Sequence, residues 1–289
     1  MEREIISADA KLLDRLSANG AAPGAAPKVV VIVAHPDDEI IGAGARLSRL
    51  KGVTVIHVTN GAPREPDYTL RVGFATGDEY RGARREECLS ALGLAGIAPE
   101  QVRELDFADQ EATFNLIPIT RRLVEILREV RPEAVLTHSY EGGHPDHDAT
   151  AFAVHTARRL LEGEFTRPPE VLELTSYYSR GGQMVTSDFL PFRGYGVRTV
   201  RLSKEERELK QRMFDCFDTQ REVLRWFPIG VERYRAAPPY DFTCPPHDGR
   251  LHYEYFDWGI RGARWRTLAH EAISRLQNEE CALRASARA

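Results

Sequence analysis

Val29-Val-Val-Ile-Val-Ala-His-Pro-Asp-Asp-Glu39 is the stretch whose reading decides the fold. Five β-branched residues in a row, without polar alternation, describe a strand covered on both faces, the central strand of a parallel sheet. Working outward, apolar runs alternate with helical patterns. Strands are expected at 29–34, 53–58, 102–107, 134–137 and 171–176, with helices across 43–51, 79–92, 116–130 and 148–161 between them. Strands separated by helices of this length mean βαβ units. The expected fold class is α/β, a Rossmann-like, mainly parallel sheet flanked by helices, with a C-terminal loop-and-helix extension.

The flanks read less regularly. Ile5, Ile6, Leu12, Leu13 and Leu16 suggest a short amphipathic helix over 1–18, and Asn19 to Pro27 is a Gly/Ala/Pro linker. Residues 1–27 are thus expected to form a helical arm and linker, and 28–289 a single domain. Ser203-Lys-Glu-Glu206 is a capping box opening a helix towards Arg225. Residues 233–258 are irregular and aromatic, with Tyr234, Tyr240, Phe242, Tyr253, Tyr255, Phe256 and Trp258, and a last helix is expected over 262–283.

Composition excludes several function classes. Across 289 residues, Lys+Arg 39 against Asp+Glu 43 leaves a net charge of -4, which argues against nucleic acid or an anionic membrane as partner. No apolar run approaches the roughly 20 residues of a membrane span. The N-terminus lacks a secretory pattern, so a cytoplasmic location is expected. The four cysteines, at 88, 216, 244 and 281, form no Cys-x-x-Cys pair, so a metal site must come from histidines and carboxylates.

Two polar clusters supply them. The first strand runs into His35-Pro36-Asp37-Asp38-Glu39, and the strand at 134 runs into His138 and then His144-Pro145-Asp146-His147. Open parallel sheets bind ligands beyond the carboxyl ends of their strands, so both clusters belong to one rim. Taken singly, each has a plain explanation: Asp37 or Asp38 as a helix N-cap, His144 and His147 as loop histidines bonded to backbone. Jointly, three histidines and three aspartates on one edge are costly without a cation, and imidazole with carboxylate suits zinc. Pro36 and Pro145 hold the preceding histidines extended, and Gly142-Gly143 allows a tight turn.

Ala34-His35-Pro36-Asp37-Asp38-Glu39 together with His144-Pro145-Asp146-His147 resembles the PIG-L/LmbE family of zinc-dependent N-deacetylases, over roughly residues 28–225. The resemblance implies hydrolysis of the N-acetyl group of an amino sugar or its conjugate, with Zn2+ as cofactor. It implies His35, Asp38 and His147 as metal ligands, Asp37 as general base, His144 as oxyanion stabiliser and Asp146 as the residue orienting His144. Either Asp37 or His144 would protonate the departing amine. Gly142 stands where the mycothiol-pathway branch carries a tyrosine, the nearest here being Tyr140, so that tyrosine's role is not carried over.

Asn60, Arg64 and Arg81 fall near the same rim, where they would bind sugar hydroxyls or an anionic aglycone; exposed arginines are more often simply solvated. His57 reads as a core residue and His138 as a group behind the ligands. Other readings are an amidase for a non-sugar or thiol-conjugate amide, a non-haem iron enzyme, and a metal-binding module without catalysis. Gly42 and Gly44 suggest a dinucleotide site, but Leu47 stands where a third glycine is needed.

Overall fold

The computed structural model describes residues 8–17, 27–50 and 52–286, so the start of the expected N-terminal helix and nearly all of the 19–27 linker lie outside the described residues. The chain runs α1 (Ala8–Ser17), β1 (Val29–Val33), α2 (Asp38–Leu47), β2 (Thr54–Pro63), α3 (Pro66–Arg71), α4 (Gly77–Leu94), β3 (Val102–Asp109), α5 (Leu116–Val130), β4 (Ala134–His138), α6 (Pro145–Leu160), β5 (Glu170–Leu174), β6 (Tyr177–Arg180), β7 (Gln183–Thr186), β8 (Arg198–Arg201), α7 (Lys204–Phe214), α8 (Arg221–Leu224), β9 (Val231–Ala236) and α9 (Gly262–Ser286). A 7-stranded sheet has the order β3-β2-β1-β4-β5-β9-β8, and β6 and β7 form a separate hairpin. Strands β1 to β5 are parallel, while β9 joins β5 and β8 antiparallel. The mainly parallel α/β fold expected from β1 is the fold observed.

The apolar run of β1 feeds two cores. Val29, Val31 and Val33 pack with Ile40 of α2, Ala91 of α4 and Met213 of α7. Val30 and Ile32 face the other way, into the core with Leu123 of α5, Phe152 of α6 and Trp265 of α9. Leu12 and Leu16 of α1 are fully buried in the first of these cores, so the N-terminal helix packs on the sheet.

Two expectations for the C-terminal third need correction. The helix opened by the Ser203–Glu206 capping box ends at Phe214 rather than running to Arg225, and α8 follows as a separate turn. The segment expected to be irregular begins with β9, a full member of the sheet. Its sequence hides this because charged residues occupy core positions. Glu232 is buried against Lys210, and Arg235 against Glu173, each pair within hydrogen-bond distance.

The order of the sheet places the site. From β1 the chain moves outward through β2 and β3, then returns to β4 on the other side of β1. The crevice between the carboxyl ends of β1 and β4 is therefore the topological switch point, where ligands bind in such sheets. His35 follows β1 and His138 ends β4, so both polar motifs open into that crevice.

Candidate active site

After β1 the chain turns sharply. The Asp37 and Asp38 N–H groups both reach the His35 carbonyl, Asp37 sits at the N-cap position of α2, and Asp38 is its first residue. The adjacent aspartates diverge through this turn into a helix, not through the alternation of an extended segment. Asp38 folds back, its Oδ2 accepting the His35 N–H at 2.8 Å. Asp37 points to the other side, where Arg84 of α4 donates to its Oδ2 at 2.8 Å and to the Gly61 carbonyl at 2.9 Å.

The second motif gives each residue its own task. His144 is the N-cap of α6 in an extended conformation, and its Nδ1 accepts the Asp146 N–H at 3.2 Å. Pro145 begins the helix, and His147, in its first turn, reaches His35 just beyond β1. The Asp148 carboxylate accepts the N–H groups of Glu141 and Gly142 and shapes the loop between β4 and α6. Gly143 is required here because a Cβ would stand 1.9 Å from the Tyr177 carbonyl oxygen.

These turns bring three ligand sets of atoms together. His35 Nδ1 lies 3.1 Å from Asp38 Oδ2 and 3.2 Å from His147 Nε2, and His147 Nε2 lies 3.2 Å from Asp38 Oδ1. Donors bound at about 2.0–2.2 Å to a tetrahedral cation stand roughly 3.3 Å from one another. The two ring nitrogens thus stand at the spacing of ligands to one ion, and each lies at that spacing from one oxygen of the Asp38 carboxylate. The other face of His35 agrees: Nε2 lies 3.0 Å from Asp109 Oδ1 and 3.4 Å from Asp146 Oδ2. A metal-bound imidazole characteristically gives its second N–H to a carboxylate. The donor set fits a divalent metal on His35, Asp38 and His147.

The surrounding groups complete the site. His138 stacks on His147 with centroids 4.1 Å apart, and its Nε2 accepts the Ala34 N–H at 3.0 Å and lies 3.2 Å from Asp38 Oδ2. His144 packs on His35 with centroids 4.6 Å apart, its Nε2 3.8 Å from Asp109 Oδ1. Burial, and then the neighbouring His35, push the His144 imidazole well below its ordinary value. In the neutral ring Nδ1 is the acceptor, so Nε2 carries the proton. Burial pushes the Asp37 carboxyl up to about 6, against the opposing pull of Arg84.

Every expected ligand and catalytic residue lies in this cluster, with one difference in arrangement. The Asp146 carboxylate is not turned to His144. It accepts the Gln110 and Ala112 N–H groups, at 2.6 and 3.0 Å, and faces His35; only the Asp146 backbone touches the His144 ring. Arg64 and Arg81 stand apart from the cluster, paired with Glu111 and Asp106. With Asn60 and Ala108 they line an open cleft of about 490 Å³.

Residues 30–158 match the family model described as PIG-L: GlcNAc-PI de-N-acetylase. Over those residues the chain is similar to a PIG-L domain. Both polar motifs lie inside it, and the match stops short of β5 to β9 and of the aromatic segment after them. Among relatives, the 1D-myo-inositol 2-acetamido-2-deoxy-alpha-D-glucopyranoside deacetylase of Kineococcus radiotolerans is 29% identical over 197 residues, covering 58% of this chain and 52% of its own. The diacetylchitobiose deacetylase of Thermococcus kodakarensis is 32% identical over 133 residues, 43% of this chain and 46% of its own. The chain thus spans about half the length of these curated relatives. A deacetylase of the teicoplanin biosynthesis pathway superposes with a TM-score of 0.56 at 19% identity, covering 72% of this chain and 96% of that one, and shares the fold.

Two residues of the site escape sequence reasoning. Asp109 reaches His35 from β3, and Arg84 reaches Asp37 from α4. Arg84 left one signal: Tyr80, Arg84, Cys88 and Ala91 form the buried stripe of α4, with an arginine where an apolar residue is expected. Gly42 and Gly44 serve packing inside α2, since a Cβ on Gly42 would meet Leu174 at 2.6 Å. Among the described residues no helix is long and apolar enough to cross a membrane.

Proposed function

We propose that this protein is a zinc-dependent N-deacetylase whose substrate is an N-acetylated amino sugar or a conjugate of one. The observation that carries the reading is the triangle of His35 Nδ1, His147 Nε2 and the Asp38 carboxylate, with 3.2 Å between the nitrogens and 3.1 and 3.2 Å from each nitrogen to a different carboxylate oxygen, and with His144 packed on His35. Relatives named as deacetylases of an inositol glucosaminide and of diacetylchitobiose support the substrate class.

His35, Asp38 and His147 would hold the zinc, which when bound acidifies water and polarises a carbonyl oxygen. The protein's own groups do the rest. Asp37, ionised and held in place by Arg84, takes the proton of the water that attacks the amide carbonyl. His144 Nε2–H donates to the oxygen as it gains charge, and the Asp146 N–H fixes the ring for that task. The carbon–nitrogen bond then breaks, acetate forms, and the proton held on Asp37 passes to the departing amine. A base placed beside the ligands favours hydrolysis over oxygen chemistry.

The test is a panel of N-acetylglucosamine conjugates assayed for released free amine and acetate. Release in equal amounts is expected, and no release from any member would contradict the reading. A second expectation concerns Asp109. Asp109→Asn removes the carboxylate charge 3.0 Å from His35 Nε2, so zinc affinity should fall about 10–100-fold, measured by competition with a chelator. An unchanged affinity would remove Asp109 from the metal site.

A further inference from the structure

The segment after β9 contains a strap, residues 250–262, that no part of the family match covers. It is fastened to the second motif. The His252 N–H donates to the Gly142 carbonyl at 2.7 Å, and Leu251 packs so closely that a Cβ on Gly142 would stand 2.6 Å from it. The Glu254 carboxylate accepts the Leu251 and Gly262 N–H groups, and Arg250 and Arg261 both donate to the Glu254 carbonyl. Gly142, with φ 69°, is therefore the position that admits the strap to the rim of the site.

What the strap delivers is a run of rings. Trp258 lies against His144 with centroids 4.6 Å apart, and Phe256 stacks on Trp258 at 4.6 Å with only 13° between the planes. Phe256 continues to His252 at 5.1 Å, His252 to Tyr177 at 5.2 Å, and Tyr177 to His147 at 5.4 Å. The rings thus close a circuit from one histidine of the second motif to the other. Exposure rises along it, from buried His144 through half-buried Trp258 to Phe256 at 42%.

We propose that Trp258 and Phe256 form a binding subsite for a flat, apolar ring carried next to the N-acetylated sugar, an aryl aglycone. The proposal rests on the deacetylase reading for the identity of the sugar alone. Three observations carry it. The stack is continuous with His144 and ends in the exposed ring of Phe256, which gives a ring carried outward from the site an apolar surface to lie on. The nearby cations are turned away, since both strap guanidiniums are engaged at the Glu254 carbonyl and Arg250 also covers Tyr255 at 4.1 Å. Burial lowers the pKa of His252, which favours its uncharged ring. The strap is held by the Gly142 carbonyl and by the Glu254 carboxylate and carbonyl, so little ordering is lost on binding.

The test compares the phenyl and methyl glycosides of N-acetylglucosamine, titrated calorimetrically into zinc-loaded Asp37→Asn protein. An aromatic pair adds about 0.5–1.5 kcal/mol beyond its area, so the phenyl glycoside should bind about 2- to 12-fold tighter. Phe256→Ala and Trp258→Ala, each added to Asp37→Asn, should bring the ratio close to one; Phe256 is exposed enough for its removal to leave the fold intact. Equal affinities in the parent, no binding of either glycoside, or an undiminished ratio in Phe256→Ala would overturn the subsite. If ring-selective binding holds while the unsubstituted protein releases no amine, the deacetylase reading fails and the subsite stands.

Discussion

Asp37→Asn is expected to lower kcat by about a hundredfold or more while zinc content stays at one ion per chain. Asn keeps the shape of the side chain and removes the proton acceptor, and general-base catalysis contributes on that scale. The metal should stay because Asp37 contacts none of the three ligand atoms; its carboxylate is turned to Arg84 at 2.8 Å. The same contact implies a cost in stability. Arg84 is buried, and removing the charge of one partner of a buried pair costs up to about 3–5 kcal/mol. Here the loss should be smaller, since the Asn oxygen still accepts and Arg84 keeps the Gly61 carbonyl. A lowered Tm with retained zinc and lost turnover is the expected signature. Loss of zinc from Asp37→Asn, with retention in Asp38→Asn, would exchange the roles of the two aspartates.

The second motif should divide in the same way. His147→Ala removes a ring nitrogen that stands 3.2 Å from both other ligands, so zinc and turnover should disappear together. His144→Ala leaves the triangle intact. It removes the Nε2–H donor, and loss of one such donor lowers kcat by about 10²–10³-fold with little change in KM. Metal analysis beside steady-state kinetics on both variants separates the roles. Equal zinc loss in the two would place His144 among the ligands.

The rim of the sheet and its two motifs were legible because local sequence determines them. A β-branched strand ending in His35-Pro36-Asp37-Asp38 carries both the sheet position and the donor atoms within a few residues. His144-Pro145 likewise announces a helix start whose first turn must face the same edge. Asp109 was not legible, because nothing in its sequence surroundings marks a ligand shell. Its place depends on β3 lying two strands from β1, and on Gln110 adopting a left-handed φ of 70° that turns its N–H to Asp146. Arg84 sits among Arg81 and Arg85, and only helix phase distinguishes the buried arginine from the exposed ones.

β9 escaped for a different reason. Hydrophobic periodicity finds a strand only when its buried positions are apolar. Here Glu232 and Arg235 are buried as paired charges, and Tyr234 donates to Glu232 Oε2 at 2.7 Å. The pattern reads as surface although the segment lies inside the sheet. Arg64 and Arg81 illustrate the opposite limit. Proximity to the rim in sequence placed them beside a cleft, but each is held by a neighbouring carboxylate rather than facing the metal ligands.

The most direct test is to strip the purified protein with a strong chelator, remove the chelator, and follow free-amine release from an N-acetylglucosamine conjugate that the untreated protein hydrolyses, as zinc is added back. Expected is no release without metal and full recovery at one zinc per chain, because Asp37 alone does not acidify the attacking water as a bound metal does. Undiminished release by the metal-free protein would contradict the assignment of His35, Asp38 and His147 as the ligands on which the chemistry depends.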